Sequence, residues 1–257
     1  MMLTTAALIL IFTSNVVLGK DDSIPLDMAE NSVDDQYIGC AVEMNNLVEK
    51  ENYLNKERKA NMSGFGDAWS KSEKKIEGKK LEPLKTKKHL IAIYVYTGVI
   101  GGVHKKFNQD VRTGREKYQY KKFSWYTLYF WLTRAIQTLK ETQNGCISTY
   151  RRTSVKFNGV NNTEIRFGSF ASSSLDRDVG LKFGNESCFE IETCYGANVT
   201  DYSWYRDQKE VLIPPYEKFK ITDIRKGKKG DWCKTVFVLK SAGIKSNLNC
   251  KLFKKIK

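Results

Sequence analysis

The chain is predicted to be an α+β protein, with helices in its first half and strands in its second. Polar, helix-favouring sequence with spaced apolar residues runs from Asp34 to about Lys88, and a long, largely apolar helical candidate follows at Phe123–Leu139. After Asn144-Gly145 the chain breaks into short β-branched and aromatic segments separated by Gly, Asn and Pro. The two patterns follow one another instead of alternating, which excludes a parallel βαβ architecture.

Taken in order, Val42, Leu47 and Leu54, then Phe65, Ala68 and Trp69, give the first stretch a helical apolar stripe, with Gly64 and Gly66 marking a break between two helices. His89–Tyr96 reads as a strand or buried segment ended by Thr97-Gly98. Residues 107–115 read as a short helix and turn. Phe123–Leu139 is a long helix with apolar residues on most faces. Lys121 and Lys122 beside its aromatics would suit a single-strand nucleic-acid platform, but aromatics at helical spacing are read as core. Strands are expected at Cys146–Val155, Thr163–Phe170, Phe189–Thr193, Glu210–Ile213, Lys218–Ile224 and Thr235–Lys240. There is no internal repeat.

An aromatic content of 12% and a hydrophobic fraction of 41% exclude disorder as the main state. The formal charge of +14 over 257 residues raises the question of a polyanionic partner. That charge is localised. Residues 71–88 carry a net +5 and residues 218–257 a net +11, so the rest of the chain is close to neutral.

Residues 1–19 contain no charged side chain, and Leu8–Leu18 is largely apolar, so a secretory leader cleaved before Lys20 is expected, leaving residues 20–257 as a single domain. No other run approaches the length of a membrane helix. The basic ending Lys251–Lys257 lacks the hydrophobic tail of a lipid-anchor signal, so a soluble secreted product is expected. Export makes Cys40, Cys146, Cys188, Cys194, Cys233 and Cys250 an even set for disulfides. Without a CxxC pair, and with two His, a metal site is not expected. Sequons stand at Asn61, Asn161, Asn185 and Asn198.

No dinucleotide-binding GxGxxG, P-loop, HExxH or GxSxG motif is present. His89 and His104 lack a neighbouring acid, which argues against a Ser-His-Asp hydrolase. What remains in the strand-rich half is Tyr150-Arg151-Arg152, the triplet Ser172-Ser173-Ser174, and Gln208-Lys209-Glu210 leading into Val211-Leu212-Ile213-Pro214-Pro215. Singly, these read as a surface cation, a solvated turn and an exposed strand entrance. Together and in this order they resemble the Arg, Ser-X-Ser and Glu-X-Glu signature of the vertebrate arginine-specific ecto-ADP-ribosyltransferase family. Leu26–Ala29, Ser32–Tyr37, Gly39-Cys40, Ala92–Thr97, Phe107-Asn108, Leu132–Ala135, Arg166–Gly168, Thr193-Cys194 and Asn249-Cys250 extend the resemblance over essentially the whole mature chain.

The resemblance implies a helical N-terminal part packed on a strand-rich, two-sheet β core. It also implies cleavage of the nicotinamide–ribose bond of NAD, a co-substrate, with transfer of ADP-ribose to a protein arginine. Glu210 would be the carboxylate opposing the charge that builds on the ribose. Arg151 would hold a phosphate of the dinucleotide, and Ser172 would orient Glu210 or the ribose. Tyr96, Phe183 and Ser203 fall at the family's further NAD contacts, with Phe183 stacking on nicotinamide. Gln208 occupies the acceptor-binding position, where the family has Glu. Losing that charge-assisted contact costs about 1.5–3 kcal/mol in acceptor use, so glycohydrolysis or automodification is the competing enzymatic reading. An inactive secreted binding protein is the non-enzymatic one. Arg152, where the family has Gly, would either crowd the cleft or add a phosphate donor. Ser169, where the family has Gln, would fall short of the same reach. The pairings implied are Cys40–Cys250 and Cys146–Cys194, which leaves Cys188 and Cys233 for a third bridge.

The protein is expected to be a monomer with no specific nucleic-acid partner. Its two Lys-rich stretches are expected to draw it to anionic cell surfaces or acidic acceptors. Retention on anionic vesicles should fall steeply as salt rises to about 0.5 M, where the screening length drops to a few ångströms, and salt-insensitive binding would count against this.

Overall fold

The computed structural model describes residues 23–98, 100–228 and 231–253. The predicted leader and the last four lysine-rich residues lie outside them. The described residues hold seven α-helices ahead of the main sheet: α1 (Ala41–Lys50), α2 (Tyr53–Ala60), α3 (Phe65–Lys75), α4 (Lys87–Thr97), α5 (Val103–Thr113), α6 (Arg115–Gln119) and α7 (Tyr126–Lys140). A short strand β1 (Ile24–Pro25) precedes them and pairs with β3 (Phe157–Asn158). The strand-rich half supplies β2 (Ile147–Thr153), β4 (Glu164–Ile165), β5 (Ala171–Ser174), β6 (Ser187–Thr193), β7 (Ala197–Asn198), β8 (Glu210–Ile213), β9 (Glu217–Lys226) and β10 (Thr235–Ile244).

These eight strands form a ladder in the order β4-β9-β10-β6-β2-β5-β8-β7. The β2–β5 junction is one pair, Tyr150 opposite Ser174, so the ladder is nearly two sheets joined at a corner. Side-chain alternation lets the smaller part serve two cores. On β8, Leu212 joins the helical core with Phe170, whereas Ile213 joins Ala171, Phe189, Phe219 and Phe237 in the core beneath. Phe107 stacks on Phe170 with centroids 5.6 Å apart, and Tyr129 meets Phe170 edge-on at 5.4 Å, fixing helices to sheet.

Several elements differ from their sequence expectation. His89–Tyr96 is helix α4, buried at every position, and the Thr86 hydroxyl caps it by accepting from Lys88 N at 3.3 Å. A helix buried all round has no polar face to reveal its period. The first helical stretch breaks at Asn52 as well as at Gly64, both in left-handed backbone, giving three helices where two are expected. Of Thr163–Phe170 only Glu164–Ile165 is strand. The following Gly168 has φ +67°, and a Cβ there would lie 2.5 Å from that of Ala29. The Ser triplet is strand β5 and not a turn.

Arg166 is the tie between the chain's ends. Its guanidinium meets the Asp34 carboxylate at 2.5 Å and also donates to the carbonyls of Met28 (2.7 Å), Lys245 (2.9 Å) and Ala29 (3.2 Å). Asp34 in turn accepts from the backbone of Asn247 and Leu248. Cys40–Cys250 closes the same junction, and Cys146–Cys194 and Cys188–Cys233 complete the pairing. A buried ion pair whose other donors and acceptors are satisfied loses heavily when one member goes. Asp34→Ala or Arg166→Ala alone should cost about 3–5 kcal/mol, read from urea unfolding midpoints. The joint change Asp34→Leu with Arg166→Met should cost less than the sum of the two.

Candidate active site

The ladder corner opens into a cavity of about 500 Å³ between β2, β5, β8 and the α4–α5 pair, a volume suited to a small organic ligand. Arg151, Ser172 and Glu210, 59 residues apart in sequence, all line it. Cross-strand register explains the convergence. Ser172 opposes Leu212 and Ser174 opposes Glu210, so Ser172 and Glu210 are diagonal neighbours on one face. Arg151 arrives from the far side of the corner and donates from Nη1 to the Ser172 carbonyl at 2.6 Å.

Glu210 is 6% exposed. Burial pushes its carboxyl up to about 7, while the Ser172 hydroxyl and the Arg151 charge pull the other way. Its backbone is fixed on both sides: the carbonyl accepts from Val199 N at 2.9 Å, and the strand pairs with β5. Gln208 and Lys209 turn the chain into this strand. Lys209 takes φ +46°, and the Gln208 carbonyl accepts from Ser174 Oγ at 2.8 Å. Gln208 lines the cavity as a neutral amide.

Tyr96 is buried in the cavity wall. Its hydroxyl donates to the Phe170 carbonyl and accepts from Asn108 Nδ2, each at 2.9 Å, and it also touches the Ser172 hydroxyl. Burial raises it to about 12, so it is a neutral phenol at physiological pH. Phe183 is 49% exposed on the turn Leu181–Phe183 and flanks the opening. Ser203 is not among the lining residues. Its hydroxyl is spent on the carbonyls of Tyr205 (3.1 Å) and Thr200 (3.4 Å), which shape the turn leading to Gln208. Ser169 is buried and accepts from Arg112 Nη2 at 3.1 Å.

Arg152 also lines the cavity, but its guanidinium is held by neighbouring carbonyls and is not a free phosphate donor. Its Nε donates to the Arg177 carbonyl and its Nη1 to the Trp232 carbonyl. Strand alternation sends it to the face opposite Arg151, with its cross-strand partner Cys188.

Residues given no site role from the sequence also line the cavity. His104 and Asn108 lie one turn apart on α5, beside the buried Val103, Phe107 and Val111. Arg112, a turn further on, is close enough to Arg151 to oppose its charge. The i, i+4, i+8 spacing of these three polar residues along an apolar stripe was the available signal. Asn108 Oδ1 is buried without a partner and can accept from a bound ligand. Burial, with Lys105 nearby, lowers His104 and keeps it a neutral imidazole. The Lys-rich stretch reaches the rim: Lys75 Nζ lies 5.6 Å over the Trp204 ring, which packs beside Gly98. Among the described residues no group of three or more His, Cys, Asp or Glu could hold a metal, and no helix is long and apolar enough to cross a membrane.

A sheet corner presenting Arg, Ser and a buried Glu to one cavity, under an all-helical N-terminal layer, defines the ADP-ribosyltransferase class of enzyme. Comparison with known proteins narrows this. The family described as NAD:arginine ADP-ribosyltransferase matches residues 26–244, and the chain belongs to that family. The human ecto-ADP-ribosyltransferase 4 is 36% identical over 241 residues, covering 90% of this chain and 74% of its own. The chicken NAD(P)(+)--arginine ADP-ribosyltransferase 2 is 33% identical over 239 residues, with the same coverage of 90% and 74%. The crystal structure of the eucaryotic mono-ADP-ribosyltransferase ART2.2 superposes with a TM-score of 0.74 at 30% identity, covering 90% of this chain and all of that one. Variants of ART2.2 were crystallised with NADH and with NAD. Exoenzyme S of Pseudomonas aeruginosa shares the fold, with a TM-score of 0.55 at 18% identity, covering 78% of this chain and 99% of that one.

The raised Glu210 carboxyl makes a prediction about stability. A group raised on folding stabilises fully below its unfolded value of about 4.5, and that contribution is lost as pH rises through about 7. Glu210→Gln should therefore unfold later than the native protein at pH 8 by about 3 kcal/mol. The difference should shrink toward zero by about pH 4.5 in parallel urea titrations.

Proposed function

We propose that the protein, acting outside the cell as a monomer whose residues 20–257 form one catalytic domain, cleaves the nicotinamide–ribose bond of NAD and transfers ADP-ribose to arginine side chains. The observation that carries this reading is the buried Glu210 carboxylate beside Ser172, with Arg151 in the same cavity wall. The choice of dinucleotide is supported by the ART2.2 complexes with NAD and NADH, and the choice of acceptor by the arginine named for the chicken relative.

In the reaction the C1′–N bond to nicotinamide breaks and its electron pair leaves with the ring as neutral nicotinamide. Positive charge develops on the ribose, and Glu210, held in a low-dielectric site, opposes it where the effect is largest. Ser172 favours the ionised carboxylate. Arg151, its fork steadied on the Ser172 carbonyl, binds a phosphate of the dinucleotide. Phe183, half-exposed at the opening, supplies an aromatic face for nicotinamide. A nitrogen of the acceptor guanidine then bonds to C1′ and releases its proton.

A second reading rests on Gln208. The neutral amide at the cavity neither pairs with a guanidinium nor takes its proton, so water competes as acceptor and the product is free ADP-ribose. Incubation with labelled NAD, with and without an arginine-rich protein, separates the two. Label on the acceptor supports transfer, and free ADP-ribose alone supports glycohydrolysis. Gln208→Glu should raise transfer tenfold to more than a hundredfold, about 1.5–3 kcal/mol, while nicotinamide release changes little. Glu210→Ala should abolish nicotinamide release; full activity in that variant would remove Glu210 as the catalytic carboxylate, and no release from any variant would remove the enzymatic reading. Because the ionised carboxylate is the working form and burial sets it near 7, kcat/KM for NAD should fall about tenfold per pH unit below pH 7.

A further inference from the structure

The wall of the cavity that carries Phe183 is a loop with few ties to the rest of the chain. From Asp178 to Gly184 its backbone hydrogen bonds are local: Leu181 to Asp178, Phe183 to Gly180 and Gly184 to Leu181. Its start is held at Asp176 by the Ser174 hydroxyl and by the exposed Lys209 ion pair. Its end is pressed on the residue that follows β2, since a Cβ on Gly184 would lie 2.6 Å from Ser154 N. Between those ends the loop's own Arg177 lies 5.8 Å over the Trp232 ring, and one side chain from the sheet reaches across to hydrogen-bond the loop.

That side chain is Arg152, which is 7% exposed. Its Nε donates to the Arg177 carbonyl at 3.0 Å, and its Nη2 lies 3.6 Å from the Asp178 carboxylate. Its aliphatic stem packs where a Cβ on Gly180 would stand, at 3.2–3.3 Å. On the other side its Nη1 donates to the Trp232 carbonyl at 2.8 Å, and the guanidinium lies 5.0 Å over the Trp232 ring. Trp232 is itself anchored, because Cys233 is disulfide-bonded to Cys188 on β6. Arg152 thus joins a weakly tied loop to a covalently stapled one.

We propose that Arg152 is a positioning residue for the dinucleotide, a strut that holds residues 177–183 at the spacing from the cleft at which Phe183 meets the substrate. This rests on the reading of the substrate as NAD. Without the strut the loop samples open positions, and only the closed fraction binds productively, so the loss falls on affinity more than on the chemical step. Lys at this position lacks the planar fork that reaches both carbonyls and lies flat on the indole.

The test measures steady-state nicotinamide release by the native protein, Arg152→Ala, Arg152→Lys and Trp232→Leu, together with the rate of tryptic nicking after Arg177 and Lys182. KM for NAD should rise about tenfold in Arg152→Ala with kcat changed less than about threefold, and less steeply in Arg152→Lys and Trp232→Leu. Nicking should accelerate in the same order and be slowed by saturating NAD. A folded Arg152→Ala protein with KM within about twofold of native, or one whose kcat collapses at unchanged KM, would overturn the assignment. If Arg152→Ala does not fold, Trp232→Leu decides: native KM and native nicking in that variant would equally overturn it. Absence of nicotinamide release from the native protein would instead overturn the functional reading, and nicking alone would then decide whether Arg152 holds the loop.

Discussion

The fold depends on the buried contact of Arg166 with Asp34. One guanidinium satisfies a carboxylate and three carbonyls from opposite ends of the chain, and the carboxylate satisfies two amides of the C-terminal turn. Both side chains are withdrawn from water, where charge without full pairing is untenable. The contact therefore admits one arrangement of three segments. Arg166 leads within four residues into Phe170, which fills the helical core, and then into Ser172 at the cavity.

The Glu210 carboxyl in the cavity wall is the reverse case, a buried acid left short of partners. Glu210 has the Ser172 hydroxyl and a nearby guanidinium, yet burial still lifts it to about 7. A carboxylate that is poorly solvated when empty is well placed to stabilise a cation forming beside it. Its cost to folding is carried by the two hydrophobic cores and three disulfides around the corner. The split of the ladder at a single pair supplies the opening, since a continuously paired β2–β5 would fill the cleft with backbone.

The basic character of the chain takes on a more limited meaning in the structure. Part of it is neutralised locally: Lys85 meets Glu141, Lys88 meets Glu49, Lys218 meets Glu164 and Lys245 meets Glu30. Part of it lies on aromatic rings, Lys75 on Trp204 and Lys79 on Tyr94. Exposed pairs of the first kind contribute little to stability. The excess charge lies outside residues 146–217, the nearly neutral segment that carries Arg151, Ser172 and Glu210.

Much of this was legible in the sequence. The succession of helices and strands, β8 to the residue, the three disulfides' even set, and the Arg151, Ser172 and Glu210 trio all follow from local pattern and motif order. Helix α4 was not, because a segment buried on every side carries no periodicity to distinguish helix from strand. Nor was β5, whose serines look like a turn until pairing with β8 explains them. Ser203 matched by position, but its hydroxyl is used by its own turn. The sequence by itself determined which residue types the chemistry has at hand and in what order. Only the tertiary structure decided that the Arg151 guanidinium is held on the Ser172 carbonyl while that of Arg152 is held on the Arg177 and Trp232 carbonyls, because side chains alternate along a strand and what each face meets is set by segments 21 to 80 residues away.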